Sequence, residues 1–253
     1  MIVSMTPNTV SFIVPAHNEE PVLPATLSAI HAAAKACAIA YEIIVADDAS
    51  TDRTAPIAAA AGACVVAVQH RQISATRNSG ARAATGGLFV FVDADTLINP
   101  EVVLRAVEAV ARGAVGGGAT VRFEGQVPLY AKVVLPLLTW SMRRARLAAG
   151  CFVFCTRPAF EAAGGFDERL FGAEEIALSV ALKRLGTFVI LREAVLTSGR
   201  KLRTYSGFEV LGIMLRGLLS GGKMLTRRDQ MGLWYDPRRA DPALQRLDRP
   251  RSY

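Results

Sequence analysis

Leu88-Phe89-Val90-Phe91-Val92-Asp93-Ala94-Asp95 is the stretch on which the fold turns: five apolar residues, then two carboxylates separated by one alanine. A short run of branched and aromatic side chains reads as a strand, and the acids mark where it stops. Upstream, Ile43-Ile44-Val45-Ala46 is almost wholly apolar, as a strand covered on both faces should be, and it also runs into acids, Asp47 and Asp48. Val10-Ser11-Phe12-Ile13-Val14 and Ala63 to Val68 are two more runs of this kind.

Helical patterns separate these strands. Val22, Leu23, Leu27, Ile30 and Ala34 recur at helical spacing, with Glu19, Glu20 and Pro21 suited to the helix start. Ser50 or Thr51 can cap the next helix, which Gly62 ends. Ser74 to Thr85 reads as a third helix, and Asn99-Pro100 opens a fourth that runs through Arg112. Strand and helix in alternation imply right-handed crossovers, hence an α/β fold with a mostly parallel central sheet flanked by helices. Beyond Gly113 the pattern is less regular. Ala119 to Phe123, Phe152 to Phe154 and Phe188 to Leu191 read as strands, and Leu129 to Arg146 and Glu174 to Leu185 as helices. The expected organisation is a main domain over 1–203 and a basic, helical extension over 204–253.

Composition excludes several classes. At 253 residues with 51% hydrophobic and 20% charged, the chain has material for a core and is not disordered in character. Residues from Arg192 onward carry 13 Lys and Arg against 6 Asp and Glu, the whole of the net charge of +7. A neutral body with a basic end can meet phosphates, an anionic membrane or nucleic acid. Cys37, Cys64, Cys151 and Cys155 are scattered with no Cys-x-x-Cys pair, against a disulfide scaffold or zinc ribbon. No secretory leader is expected at the N-terminus, so a reducing, cytoplasmic setting follows. Val127 to Met142 and Phe208 to Leu219 fall short of the roughly 20 apolar residues of a spanning helix, and Lys132 and Arg216 interrupt them. Either could lie on a bilayer.

In open parallel sheets ligands bind outside the carboxyl ends of the strands. Those ends carry Pro15-Ala16-His17-Asn18-Glu19, Asp47-Asp48 and Asp93-Ala94-Asp95. Neither Gly-x-Gly-x-x-Gly nor Gly-x-x-x-x-Gly-Lys occurs in the first turn, which disfavours dinucleotide dehydrogenases and phosphate-loop NTPases. Asp93 and Asp95 admit two readings: both approach one hard divalent cation and leave positions for diphosphate oxygens, or they cap a turn and the next helix. His17 and Glu19 likewise read either as ligand contacts or as a packing residue and a helix-start charge.

Taken together, Val14-Pro15-Ala16-His17-Asn18-Glu19, Val45-Ala46-Asp47-Asp48-Ala49-Ser50-Thr51-Asp52, Ala75-Thr76-Arg77-Asn78-Ser79-Gly80 and Asp93-Ala94-Asp95 resemble family 2 glycosyltransferases of the type-A fold. Gly164-Gly165-Phe166-Asp167-Glu168 and Ala173-Glu174-Glu175 resemble the acceptor side and catalytic-base region of the same family, so the likeness runs from about Val10 to Arg200. It implies a metal-dependent, inverting transfer of a sugar from a nucleotide-diphosphate donor, UDP-linked by expectation, to a hydroxyl acceptor. Pro15, Ala16 and His17 would line the base pocket, Glu19 would orient the ribose, and Asp47 and Asp48 would contact base and ribose. Arg77 would sit by the diphosphate. Asp95, with Asp93, would hold Mn2+ or Mg2+ as a Lewis acid, Asp93 also placing the ribose. Glu175, with Glu174 beside it, would take the acceptor's proton. The family usually has Asp at that position; one extra methylene moves the carboxylate by about 1.5 Å unless the backbone retreats.

The expected partners are the donor, an acceptor of glycan, lipid-linked or small-molecule kind, and an anionic membrane surface. Nucleic acid ranks last, because no basic groove interleaved with aromatics is visible. Ser198 to Arg203 form a basic cluster, and Phe208, Val210, Leu211, Met214, Leu215, Leu218 and Leu219 form a wide apolar face that either packs on the body or lies in a membrane interface. Two rival readings stand: a nucleotidyltransferase, which would carry a Gly-rich basic loop after the first strand, and a non-catalytic membrane-associated module.

Overall fold

The computed structural model describes residues 9–205, Glu209, Gly212 and residues 223–235. Eight strands form one sheet: β1 (Val10–Ala16), β2 (Tyr41–Asp48), β3 (Cys64–Val68), β4 (Leu88–Val92), β5 (Thr96–Leu97), β6 (Ala114–Phe123), β7 (Phe152–Thr156) and β8 (Thr187–Thr197). Their order is β3-β2-β1-β4-β7-β6-β8-β5. The first four pair in parallel as the strand–helix alternation predicts, whereas β7 runs antiparallel to β4 and β6, and β5 antiparallel to β8. The sheet is therefore mixed in its second half, where no crossover helix of the first kind links the strands.

The helices are α1 (Leu23–Ala36), α2 (Thr54–Ala60), α3 (Ile73–Ala83), α4 (Pro100–Ala111), α5 (Leu129–Ala145), α6 (Arg157–Ala163), α7 (Glu174–Leu185) and α8 (Arg200–Thr204). Strand alternation sorts the core onto two faces. Phe12, Val14, Val45 and Val90 bury with Leu27, Ile30, Val102 and Val103 of α1 and α4 on one side. Ile13, Ile44, Phe89 and Phe91 bury with Phe160, Leu178 and Leu182 of α6 and α7 on the other. Period-2 patterning with both faces filled is what makes these strands apolar throughout. Gly80 lets α3 approach the sheet closely: a Cβ there would stand 2.6 Å from Ile13 Cγ2.

Three local expectations change. Helix α1 begins at Leu23 with Pro24 in its first turn, so Glu19 and Glu20 lie in the preceding loop and not at the helix start. Neither Ser50 nor Thr51 caps α2; Asp52 Oδ1 accepts from Thr54 N at 2.9 Å, while Ser50 Oγ accepts from Asn18 N. The two-residue β5 and the short α6 give too little periodicity to read in the sequence. The apolar face over 208–219 lies outside the described residues. Residues 223–235 pack on the body: Phe171 N donates to Leu225 O at 2.7 Å, and Met224 and Met231 are buried.

Candidate active site

The site assembles at the carboxyl ends of β1, β2 and β4, where the apolar strands stop and backbone polar groups need partners. The β1–α1 and β2–α2 loops satisfy each other. Asn18 N donates to Ser50 Oγ at 2.9 Å, Thr51 N to Asn18 Oδ1 at 2.8 Å, Glu19 N to Thr54 Oγ1 at 2.8 Å and Glu20 N to Asp52 Oδ2 at 3.1 Å. The ring Nδ1 of His17 lies 2.8 Å from the Asp48 carbonyl. Pro15 and Ala16 stand in register with Ala46 and Asp47 at the end of the β1–β2 pair.

Consecutive strand residues face opposite ways, so Asp47 and Asp48 have different fates. Asp48 spends both oxygens on the start of α3: Oδ1 accepts from Arg71 N at 2.8 Å, and Oδ2 from Gln72 N at 3.1 Å and Thr76 Oγ1 at 2.8 Å. A carboxylate there answers the unpaired N–H groups and positive end of the helix. Asp47 is also buried, yet its Oδ1 accepts no hydrogen bond from the described residues. A buried acceptor left open is costly, and it marks a place where a ligand donor would be welcome.

Arg77 knits the second half of the site. Its guanidinium is buried; NH1 donates to Glu174 Oε1 at 2.8 Å, and NH2 to Asp93 Oδ1 at 2.7 Å and to the Gly150 carbonyl at 3.0 Å. The group also lies over the Phe166 ring, 5.2 Å from its centroid. The expected guanidinium fork beside a diphosphate is thus turned inward, because two carboxylates of the chain itself neutralise it. Burial alone would weaken its charge, but Asp93, then Glu174 and Glu175, hold it protonated.

Glu174 and Glu175 open α7 behind Ala173, which takes a left-handed φ of 58°. Glu174 is the anchor of Arg77. Glu175 packs its carboxyl over Gly150, where a Cβ would meet its Cδ at 3.2 Å, a tight contact. Desolvation first, and the neighbouring Glu174 second, push the Glu175 carboxyl up to about 8. Cys151, next to Gly150, has its thiol held well above the ordinary range by burial and then by the charges of Asp93, Asp95 and Glu175. The Asp93–Asp95 turn is pinned from below by Thr26 Oγ1, which donates to the Ala94 carbonyl at 2.7 Å, and from the side by Ser198 N, which donates to the Asp95 carbonyl.

Of the sequence-read acids, Asp93 and Glu174 are joined through Arg77 and Glu175 sits beside them over Gly150, whereas the Asp48 carboxylate is engaged with α3. Three contributors escape sequence reading: Gly150, Thr26 and Gln72, whose amide bonds the carbonyls of Glu168 and Leu170. None carries a motif; each acts through a backbone carbonyl remote in sequence. Asn78 fixes the Gly164–Phe166 turn through both Phe166 N and Phe166 O at 2.9 Å. Tyr235 reaches the same edge, its hydroxyl 3.4 Å from Ile73 N and its ring against Phe171. Among the described residues, no three His, Cys, Asp or Glu side chains are grouped to hold a metal on protein ligands alone.

A mixed sheet with acids at these strand ends is the architecture of a type-A nucleotide-sugar transferase. Residues 11–157, more than half of the chain, match the model for glycosyl transferase family 2, and the chain belongs to that family. It is similar to an undecaprenyl-phosphate 4-deoxy-4-formamido-L-arabinose transferase of Serratia proteamaculans (strain 568), 35% identical over 147 residues covering 54% of this chain and 44% of the relative. The protein of the same name from Pseudomonas paraeruginosa (strain DSM 24068 / PA7) is 38% identical over 115 residues, 41% of this chain and 33% of that relative. The chain thus spans less than half the length of these relatives. In fold it is similar to a mannosyltransferase from Pyrobaculum calidifontis in complex with GDP-Man and Mn2+, with TM-score 0.64 and 21% identity over 87% of this chain and 63% of that one. Glucosyl-3-phosphoglycerate synthase from Mycobacterium tuberculosis, in complex with Mn2+, UDP and glucosyl-3-phosphoglycerate, gives 0.59 at 21% over 89% and 80%.

Proposed function

We propose that this chain transfers a glycosyl group from a nucleotide-diphosphate sugar to a lipid-borne acceptor, in a single displacement that inverts the sugar carbon. The observation that supports the proposal is the Arg77 bridge, which joins Asp93 at a strand end to Glu174, the neighbour of Glu175, at a helix start. Asp47, with its open oxygen, takes a hydroxyl or N–H of the nucleoside, while Pro15, Ala16, His17 and Glu19 form the surrounding wall and Asp48 shapes it by holding α3. The fold neighbours carry GDP-Man in one case and UDP in the other, so the base is a matter for the donor test below. UDP is the donor base we favour.

The donor set fits a divalent cation, Mn2+ or Mg2+. Asp95 and the partly exposed Asp93 would supply hard oxygen ligands to it. When bound, the ion neutralises the departing diphosphate as a Lewis acid. The chain's residues do the rest. Arg77 orients Asp93 and Glu174, and Glu175 takes the proton of an acceptor hydroxyl, its carboxyl poised near the working pH.

A second reading concerns the acceptor atom. The curated relatives are named for undecaprenyl phosphate. A phosphate oxygen is already ionised and asks for no base, and a protonated Glu175 would spare it repulsion. Melting the protein with a panel of nucleotide sugars, with and without Mn2+, tests the core proposal. A preferred donor at one hundred times its Kd should add about 2.7 kcal/mol of stability. Asp95→Ala should remove the metal-dependent part of that gain and the transfer. An undiminished metal response in Asp95→Ala would overturn the metal assignment.

A further inference from the structure

Helix α5 buries a single residue, Ala131, among its seventeen. Leu129, Val133, Leu137 and Trp140 follow at spacings of four, four and three, and each is 64–78% exposed. That spacing lays them in one stripe, the side a globular helix ordinarily turns to the core. No Asp or Glu occurs between Glu124 and Glu161, while Lys132, Arg144 and Arg146 stand exposed on or just beyond the helix. Beside it an open groove of about 680 Å³ runs against β6, lined by Val121, Phe123, Val127, Leu135, Trp140 and Arg143.

We propose that α5 docks on an anionic lipid bilayer, the Leu129-to-Trp140 stripe in the acyl boundary and Lys132, Arg144 and Arg146 at the headgroups. An exposed apolar stripe on a helix that carries cations and no acid complements a negatively charged, hydrocarbon-backed surface. A second copy of this chain does not: pairing two such helices would bring cations together with no acid on either to neutralise them. Tryptophan suits the interface depth, with an apolar ring and one N–H. No helix among the described residues is long and apolar enough to cross a membrane, so the contact is along the surface. From α5 the chain passes directly to Gly150, whose carbonyl holds Arg77. Docking therefore sets the active edge at the height where a lipid-borne acceptor presents its head. The inference deepens the acceptor reading above, but it stands on α5 alone.

The test uses the full chain and vesicles of phosphatidylglycerol or of phosphatidylcholine, with no donor present. The expected result is cosedimentation with the anionic vesicles only, weakening with salt. A blue shift of Trp140 emission, read in a Trp234→Phe background, should accompany it. Lys132→Ala or Arg144→Ala should each lower the vesicle association constant about fivefold, and Leu137→Glu roughly tenfold or more. Donor-induced stabilisation should be the same in all of them. Three results would overturn the proposal: no vesicle binding by the wild type, binding unmoved by Leu137→Glu, or a lowered melting point of Leu137→Glu, which would mean that another segment of the chain covers the stripe. Failure of donor binding or of transfer to a water-soluble acceptor would sink the glycosyltransferase reading and leave the vesicle result standing.

Discussion

Glu175 is the residue whose environment makes the sharpest demands. Folded, its carboxyl keeps a proton up to about 8, whereas in the unfolded chain it releases it near 4.5. The folded state therefore binds the extra proton between those values, and stability falls as pH rises through that window, by at most about 1.4 kcal/mol per unit. In metal-free buffer, Glu175→Gln should lack this decline, as read by chemical denaturation at pH 6 and 8.5; parallel losses in both proteins would refute the assignment. With a hydroxyl acceptor, kcat should climb with pH toward 8, and Glu175→Gln should lower it roughly 10²–10⁴-fold with donor KM unchanged. A phosphate acceptor would show no such climb. Arg77 answers to a different force. Removing one member of a buried ion cluster strands its partners, so Arg77→Ala should cost about 3–5 kcal/mol. Arg77→Lys keeps the charge without the planar fork and should restore only part of that loss.

At the scale of elements, α3 and α7 are the positioning devices. Helix α3 is clamped at its start by Asp48 and pressed on the sheet at Gly80, and this contact fixes how far Arg77 reaches. Gly80→Ala drives a methyl into Ile13, and overpacking of that kind costs about 1–3 kcal/mol, measurable as a lowered denaturation midpoint. A variant as stable as the wild type would mean that α3 can retreat freely. Much of this layer is legible in the sequence: β4 and α7 fall where their apolar runs and flanking acids put them, and Asn99 caps α4 through Val102 N at 2.9 Å. The start of α1 is not legible. Glu19 and Glu20 have helix-start chemistry, but the loop from β2 offers hydroxyl and carboxylate partners to their N–H groups, and those contacts outweigh local preference.

The whole molecule adds a strap. Residues 223–235 lie across the α7 entrance, with Met231 buried against Gly172 and Arg228 over the Tyr235 ring at 5.3 Å. Burial first, with the charge of Glu174 adding to it, pushes the Tyr235 phenol up to about 12, so it stays a neutral hydroxyl facing α3. Met231→Ala should cost the docked segment about 2–5 kcal/mol, seen as faster hydrogen exchange at the Phe171 amide, which donates to Leu225 O. Unchanged exchange would show that Met231 does not hold the strap.

By itself the amino-acid order determined the first four strands, the spacing of their terminal acids and the basic, acid-free character of 125–160, because strand alternation, chain breakers and charge runs are properties of neighbours. Only the tertiary structure decided that Asp48 serves α3, that Asp47 keeps an open oxygen and that Arg77 faces inward. Its carboxylate partners lie 16 and 97 residues away, and a guanidinium chooses among carboxylates by distance in space. The exposure of α5 was settled in the same way: an amphipathic pattern states which side chains share a face, and packing decides whether anything covers it.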